Sequence, residues 1–377
     1  RSISIIGSGM AGHAAASALS RRFGARVQVT LFGEEGLGNL DPRALVRGLE
    51  GHAPEAAGAV DPAWYKRRGI AVHLDQGIVA IDRDRRLLRS SSGRSFAYDH
   101  LILATGALPK LPALSGRDAP QVLTVRTWED VELLRRGLRG PRRVAIIGGG
   151  PFGVSLAHAC VQQGASVSLI EMASSWCLRH VDRSAGNRID AMLAADGVDR
   201  LLGRQVLGIV PAPGGCRIRL QDGDERLVDV VILACGAHPR DELALTCGLR
   251  RSFDGGIRVD ECLGTDDPRI SAIGECARFD GHLLGAPQAI AAAAEVLAGT
   301  LAGEDAIFVD PGEDMRIRLG ESWCWSTGRV HGDESDEVVR WRVGDESRTL
   351  VLCGRHLVGA CGFGGSQGAA AIVAGVS

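Results

Sequence analysis

One glycine-rich turn occurs twice in this chain, as Gly7-Ser8-Gly9-Met10-Ala11-Gly12 and as Gly148-Gly149-Gly150-Pro151-Phe152-Gly153. Nothing else in the sequence restricts the fold as much. Each copy follows a short β-rich run, residues 2–7 and 143–147. Each opens an apolar helix, running to about residue 22 in the first copy and over 154–163 in the second. Each then leads to a second strand, 26–32 and 166–171, with an acidic residue at its end: Glu34 or Glu35, and Glu171. The GxGxxG pattern alone is weak in a chain with 51 glycines. Strand, turn, helix, strand and acid in that order form a βαβ unit of the dinucleotide-binding kind.

The physical reading assigns each glycine a separate task. Gly7 and Gly148 permit the tight turn. Gly9 and Gly150 present no Cβ, so that a diphosphate can approach the backbone. Gly12 and Gly153 let helix and strand pack closely. The diphosphate then lies at the positive end of a helix, where N–H groups lack partners. The acids would accept hydrogen bonds from ribose hydroxyls. A carboxylate at Glu171 suits a free 2′-hydroxyl and repels a 2′-phosphate, while Arg179 and His180 stand further along, so NADH is expected over NADPH. Two complete copies argue against bare structural turns.

Between and after these units the pattern is mixed. A polar loop (33–62) precedes a short helix near 64–68. Strand-like stretches follow at 71–82, at 87–98 as a hairpin, and at 100–105. Prolines 109, 112 and 120 mark a linker before a helix at 128–138. A helix at 184–195 and strands at 205–210, 216–220 and 228–234 come next. A short strand at 270–273 precedes Gly274-Glu275-Cys276, and a helix covers 288–302. Beyond residue 306 the sequence is strand-rich, at 315–319, 337–343, 349–353 and 356–361.

Bulk properties exclude several classes. At 377 residues the chain is expected to form two or three domains. A net charge of −2 gives no basic excess with which to neutralise phosphates, so no nucleic-acid partner is expected. No apolar run approaches a bilayer span, the longest being 289–294 and 368–376, and no signal peptide is read. A soluble, cytoplasmic protein without a membrane partner is expected. None of the ten cysteines has CxxC spacing, and none precedes Cys160. No metal site is expected, and the thiols read as reduced and buried.

With these stretches on the page, the chain resembles the pyridine nucleotide–flavin oxidoreductases, in particular the rubredoxin and ferredoxin reductase branch, and also the FAD/NAD module of nitrite reductase large subunits. The resemblance rests on residues 5–12, Leu103-Ala104-Thr105-Gly106-Ala107, residues 144–153, Val231-Ile232-Leu233-Ala234-Cys235-Gly236 and Ile273-Gly274-Glu275-Cys276-Ala277. It implies an α/β fold with two Rossmann-like dinucleotide-binding domains, glutathione-reductase-like, plus a small α+β C-terminal domain. The FAD domain would be discontinuous (1–107 and 232–308), the NAD(P)H domain would span 108–231, and the last domain 309–377. Gly7, Ser8, Gly9, Met10, Ala11 and Gly12 would hold the FAD diphosphate, and Glu34 or Glu35 the adenosine ribose. The Val79 backbone would meet adenine, and Ala104, Thr105, Gly106 and Gly274 would lie near FAD. Glu275 takes the place of the aspartate that usually holds the ribityl chain. Gly148, Gly150, Phe152, Gly153 and Glu171 would bind NADH, with Gly236 closing that site.

Two departures from the family accompany the resemblance. The usual Tyr-x-Arg/Lys after the second strand reads Leu40-Asp41-Pro42, with Arg43 adjacent as the substitute cation. The usual glutamate two residues past the second glycine turn is Ser155. In the family these two groups face each other across the flavin. The cysteine pair of disulfide-reducing members is missing as well, so electrons from NADH would leave the flavin directly. The leading expectation is electron transfer to a rubredoxin or ferredoxin, with no side chain acting as catalytic acid or base. A flavin oxidase or tailoring oxidoreductase acting on a small molecule is the second reading. A low-turnover FAD-binding assembly or sensor protein is the third. Trp323, Cys324, Trp325 and Trp341 read either as a partner contact or as core. His13 reads as helix packing rather than a phosphate contact.

Overall fold

The computed structural model describes residues 1–140, 142–312 and 314–365, and the apolar run 368–376 lies outside them. Two compact units result. The first comprises Arg1–Ala44, Ala53–Leu108 and Ala237–Pro311; the second comprises Leu45–His52, Pro109–Gly236 and Gly312–Ser377.

The first unit is built on a five-stranded parallel sheet in the order Ile270–Ala272, His100–Leu103, Ser2–Ile6, Gln28–Phe32, Ile70–His73. Its central strands are buried almost throughout, as expected of a parallel sheet covered on both faces. Helix Met10–Phe23 buries Ala11, Gly12, Ala15, Ala16, Ala18 and Leu19. Small side chains keep this helix close to the sheet, and helix Pro287–Leu301 packs against it. A three-stranded antiparallel sheet, Ile78–Asp82, Leu87–Ser90 and Ser95–Ala97, is inserted between the outer and inner strands. The expected single strand at 71–82 is therefore two strands in different sheets. The chain turns between them, with Asp75 at φ 54° and Gly77 against the Glu34 side chain.

The second unit repeats this plan. Its parallel sheet runs Asp199–Leu202, Ser166–Glu171, Arg143–Ile147, Val230–Leu233, Val122–Leu123, with an antiparallel insert of Val206–Ala212, Gly215–Leu220 and Glu225–Val228. The register is the same as well. Ile6 pairs with Phe32 and Leu103, and Ile147 pairs with Ile170 and Leu233. Ile270 lies against Leu101 as Val122 lies against Val231.

Two further features depart from the sequence reading. Within the loop expected at 33–62, a short helix, Val46–Leu49, belongs to the second unit and packs Gly48 on Trp128 and Val131. The expected α+β domain at 309–377 is, over its described residues, an antiparallel sheet of five strands. Their order is Asp314–Leu319, Ser322–Gly328, His356–Gly364, Glu346–Cys353, Glu337–Val343, and the sheet groups with the second unit. Buried Asp182 anchors it there by accepting hydrogen bonds from the Thr349 hydroxyl at 2.7 Å, from Arg340 Nε at 3.2 Å and from the Ala185 amide at 3.0 Å. Cys324 and Trp325 are buried on strand Ser322–Gly328, so they fill core, whereas Trp341 is 42% exposed on an edge strand.

Candidate functional site: two glycine cradles

In the first unit the three glycines behave as three different parts. Gly7 has φ +114°, and a Cβ on it would stand 2.0 Å from the Ala104 carbonyl oxygen. A Cβ on Gly12 would stand 1.8 Å from the Gly7 carbonyl oxygen. Both are therefore packing glycines, which let strand, turn and helix close on one another. A Cβ on Gly9, the N-cap of helix Met10–Phe23, would meet nothing within 4 Å. No side chain caps this helix start. The turn thus offers open space above helix N–H groups, a shape and polarity that suit a diphosphate.

The second unit reproduces each distance class. The Gly148 Cβ would lie 2.4 Å from the Ala234 oxygen and the Gly153 Cβ 1.9 Å from the Gly148 oxygen, while a Cβ on Gly150 would meet nothing. Ala104-Thr105-Gly106 and Ala234-Cys235-Gly236 occupy equivalent strand ends, and Gly106 and Gly236 both have positive φ, +72° and +96°. Phe152 is half-buried in the first turn of helix Pro151–Gln162.

The acids differ between the copies. Gly7 donates to the Phe32 oxygen and Gly148 to the Ile170 oxygen, both at 2.8 Å. Glu171 therefore corresponds to Gly33, not to Glu34 or Glu35. Gly33 must lack a side chain because its Cβ would stand 2.2 Å from Ser8 Oγ. Glu171 accepts the amides of Gly149 at 2.6 Å and Ala173 at 2.7 Å, so its carboxylate is fixed at the turn. Glu34 is held in a bidentate ion pair by Arg240, with contacts of 2.7 and 2.8 Å. The sequence reading missed Arg240 as a neighbour of this cleft. No local signal links residues 206 positions apart.

The remaining expected residues of the first cleft are also placed. Val79 is the extra residue of a β-bulge between Ile78 and Ala80, which leaves it out of the ladder with its side chain 51% exposed. Thr105 donates its hydroxyl to the Arg240 carbonyl, and the Arg240 amide donates to the Gly106 oxygen at 2.9 Å. Gly274 has φ +80°, and its Cβ would stand 2.5 Å from the Ala11 side chain, so Gly274–Cys276 runs beside the helix start. Glu275 follows it and packs on Gly285. His13 bonds Tyr65 Oη at 2.9 Å and lies against Trp64; burial, then Arg68, holds its imidazole below the usual range. That is a packing role.

The two departures have local explanations. Arg43 closes on Asp41, through Nε at 3.1 Å and Nη2 at 3.3 Å, so its charge is already paired. The Ser155 hydroxyl donates to the Pro151 carbonyl at 2.9 Å, one turn back in its own helix. The ten cysteines are free thiols, and burial pushes Cys160, Cys177 and Cys361 up to about 12. No group of three or more metal-ligating side chains gathers among the described residues. No described helix is long and apolar enough to cross a membrane.

Known proteins resemble this chain over most of its length. The profile of the family described as pyridine nucleotide-disulphide oxidoreductase matches residues 1–295. The chain is 30% identical, over 95% of its length, to the nitrite reductase (NADH) large subunit of Escherichia coli (strain K12), and covers 44% of that protein. It is 32% identical to the rubredoxin-NAD(+) reductase of Ectopseudomonas oleovorans, over 73% of this chain and 71% of that one. Among solved structures, the ferredoxin reductase for the CYP199A2 system of Rhodopseudomonas palustris superposes with a TM-score of 0.88 at 26% identity, covering 96% of this chain and 91% of that one. The putidaredoxin reductase of a covalent complex with putidaredoxin gives 0.86 at 25% identity, covering 96% and 89%. The chain spans less than half the length of the nitrite reductase subunit it matches.

Proposed function

The chain belongs to the pyridine nucleotide-disulphide oxidoreductase family, whose cofactors are FAD and NADH, and on that premise we propose that it carries electrons from NADH through FAD to a small iron-containing redox protein such as a rubredoxin or ferredoxin. One observation carries the reading: two cradles alike in strand register, each with an open helix start and two packing glycines, of which the second has its carboxylate fixed at the turn.

FAD, when bound, supplies the conversion of a two-electron donor into two single-electron deliveries. One NADH would then reduce two one-electron carriers and release NAD⁺ and one proton. The chain's own residues bind and orient. Gly9 and Gly150 leave the helix starts open to diphosphates, Glu171 offers acceptor oxygens to ribose hydroxyls, and Gly274–Cys276 borders the first helix start. No side chain is assigned as general acid or base. Family-type disulfide exchange has no support, since Cys235 and Cys276 are each bonded to backbone carbonyls and lifted in pKa by burial.

Anaerobic stopped-flow absorbance tests the proposal. NADH is expected to bleach the flavin, and oxidised rubredoxin or ferredoxin to restore its colour within the same cycle. A flavin that NADH does not bleach refutes the reading. It would favour the second one, an oxidase or tailoring oxidoreductase acting on a small molecule, for which the closed Arg43–Asp41 pair and the inward-turned Ser155 hydroxyl are the supporting observations.

A further inference from the structure

The two turns share a feature that their glycines do not explain. The second residue of each, Ser8 or Gly149, has its carbonyl oxygen held by a backbone amide from beyond the second strand. Asn39 donates to Ser8 at 2.6 Å, and Cys177 donates to Gly149 at 2.9 Å. Asn39 has φ 60° and Cys177 φ 51°, so both donors stand in the left-handed region. Of the six non-glycine residues with positive φ among those described, one therefore clips each turn. Asparagine takes this conformation more readily than most residues, whereas cysteine has no such preference.

Each clip is fixed by its surroundings, as an uncommon backbone conformation must be to persist. Asn39 Nδ2 donates to the Gly58 oxygen at 2.8 Å, and the preceding Gly38 bridges to Val60. Cys177 is buried, and its carbonyl accepts the amides of His180 at 2.7 Å and Val181 at 3.1 Å. Trp176 before it is fully buried, donates Nε1 to Asp190 at 2.9 Å, and lies so close that a Cβ on Gly149 would stand 2.5 Å from its ring. The consequence lies in the planar peptide unit. The Ser8 carbonyl and the Gly9 amide belong to one trans unit, as do the Gly149 carbonyl and the Gly150 amide. Within such a unit the C=O and N–H point to opposite sides. A held carbonyl therefore aims the Gly9 or Gly150 N–H away from the clip. These two glycines cap the helices, their N–H groups have no intrahelical partner, and a Cβ on either would meet nothing within 4 Å.

We infer that Asn39 and Cys177 are positioning residues, each of which turns one helix-start amide towards a dinucleotide diphosphate: Asn39 for FAD in the first cradle, Cys177 for NADH in the second. This deepens the assignment of the two cradles and rests on it. Neither side chain has to touch a ligand, because the effect passes through a backbone N–H and a left-handed φ. The inference separates two roles. If the clips only tied loops to turns, disturbing one would lower stability and leave both affinities alone. If they aim amides, each disturbance weakens one ligand and spares the other.

Valine provides the test, since a β-branched residue avoids the left-handed region, whereas glycine enters it freely and keeps the N–H. FAD affinity is read by quenching of flavin fluorescence on titration into deflavinated protein. The second cradle is read by calorimetric titration of FAD-saturated protein with ADP-ribose, which carries the diphosphate of NADH without its nicotinamide. Circular dichroism confirms the fold. Cys177→Val is expected to weaken ADP-ribose about tenfold, the size of one lost hydrogen bond to a charged group, and to leave FAD at its parental affinity. Asn39→Val is expected to do the reverse. Cys177→Gly and Asn39→Gly should each recover most of the affinity that valine loses. If Cys177→Val does not fold, Asn39→Val at the half-buried first clip decides the question. Valine variants that bind both ligands as the parent does, that lose both together, or that bind no worse than their glycine counterparts overturn the positioning role and leave the cradle assignment intact. A parent chain that binds neither FAD nor ADP-ribose refutes the assignment itself.

Discussion

The cradle geometry predicts that Gly150 and Gly153, three residues apart in one turn, fail in different ways when each gains a methyl group. At Gly153 the new Cβ would stand 1.9 Å from the Gly148 oxygen, against about 3.4 Å for ordinary contact, so the helix must move off the turn by roughly 1.5 Å. Overpacking of this kind costs about 1–3 kcal/mol. At roughly 2–4 °C per kcal/mol for a unit of this size, Tm should fall by about 2–12 °C. At Gly150 the backbone is extended, φ −73° and ψ 179°, and the Cβ meets nothing. Alanine at an N-cap loses about 0.5–1 kcal/mol relative to better caps, and the stiffer unfolded chain returns about 0.4–1 kcal/mol. Gly150→Ala should therefore melt within about 2 °C of the parent. Its methyl group nevertheless fills the approach reserved for the diphosphate, so NADH should bind at least about tenfold more weakly, a loss of about 1.4 kcal/mol. Differential scanning fluorimetry and NADH titration read the two effects separately. Equal melting losses for both variants, or parental NADH affinity in Gly150→Ala, would show that the open glycine is not a ligand position.

Three further predictions concern other parts of the molecule. Glu171→Gln keeps the shape but presents an NH₂ to one of two backbone N–H donors; NADH affinity should drop about tenfold, and the preference over NADPH should narrow in parallel titrations. Cys324→Ser places a hydroxyl at a position with 0% exposure and should lower Tm by a cost of about 1–3 kcal/mol, while the rate of flavin bleaching by NADH stays unchanged; a slower rate would give this thiol a redox role. Burial, then Arg1, with Asp267 opposing, pushes the His100 imidazole down to about 4 from 6.5. Between those values the unfolded chain binds a proton that the folded chain refuses, so stability falls as pH drops from 6.5 towards 4, by a total on the order of 3 kcal/mol. His100→Gln should flatten the Tm profile across that window, and an unchanged slope would refute the assignment.

Much of the fold was legible because its signals are local. A glycine turn, the strand before it and the helix after it lie within about twenty residues and share one physical cause, so both cradles could be read directly. The correspondence of acids was not legible. An acid at or just past the end of each second strand makes Glu34 and Glu171 look alike, but the Phe32 and Ile170 hydrogen bonds show that Gly33 takes the place of Glu171. The Arg240–Glu34 pair escaped for another reason: ion pairing between distant positions leaves no trace in periodicity. Residues 45–52 were read as loop because nothing in their composition shows that Gly48 would seat under Trp128. The strand Ser322–Gly328 was missed because its middle residues, Cys324–Thr327, are buried on both faces and show no alternation.

The matched registers of the two halves also bear on how the protein tells its ligands apart. Two turns with the same strand pairing and the same spacing of three glycines would offer a diphosphate the same grip, so neither turn by itself would discriminate a flavin dinucleotide from a nicotinamide one. Selection must fall to what borders each turn: bare Gly33 against Ser8 on one side, the twice-bonded Glu171 carboxylate on the other. Engineering that aims to exchange cofactor preference between the halves should begin at those two borders and leave the glycines alone.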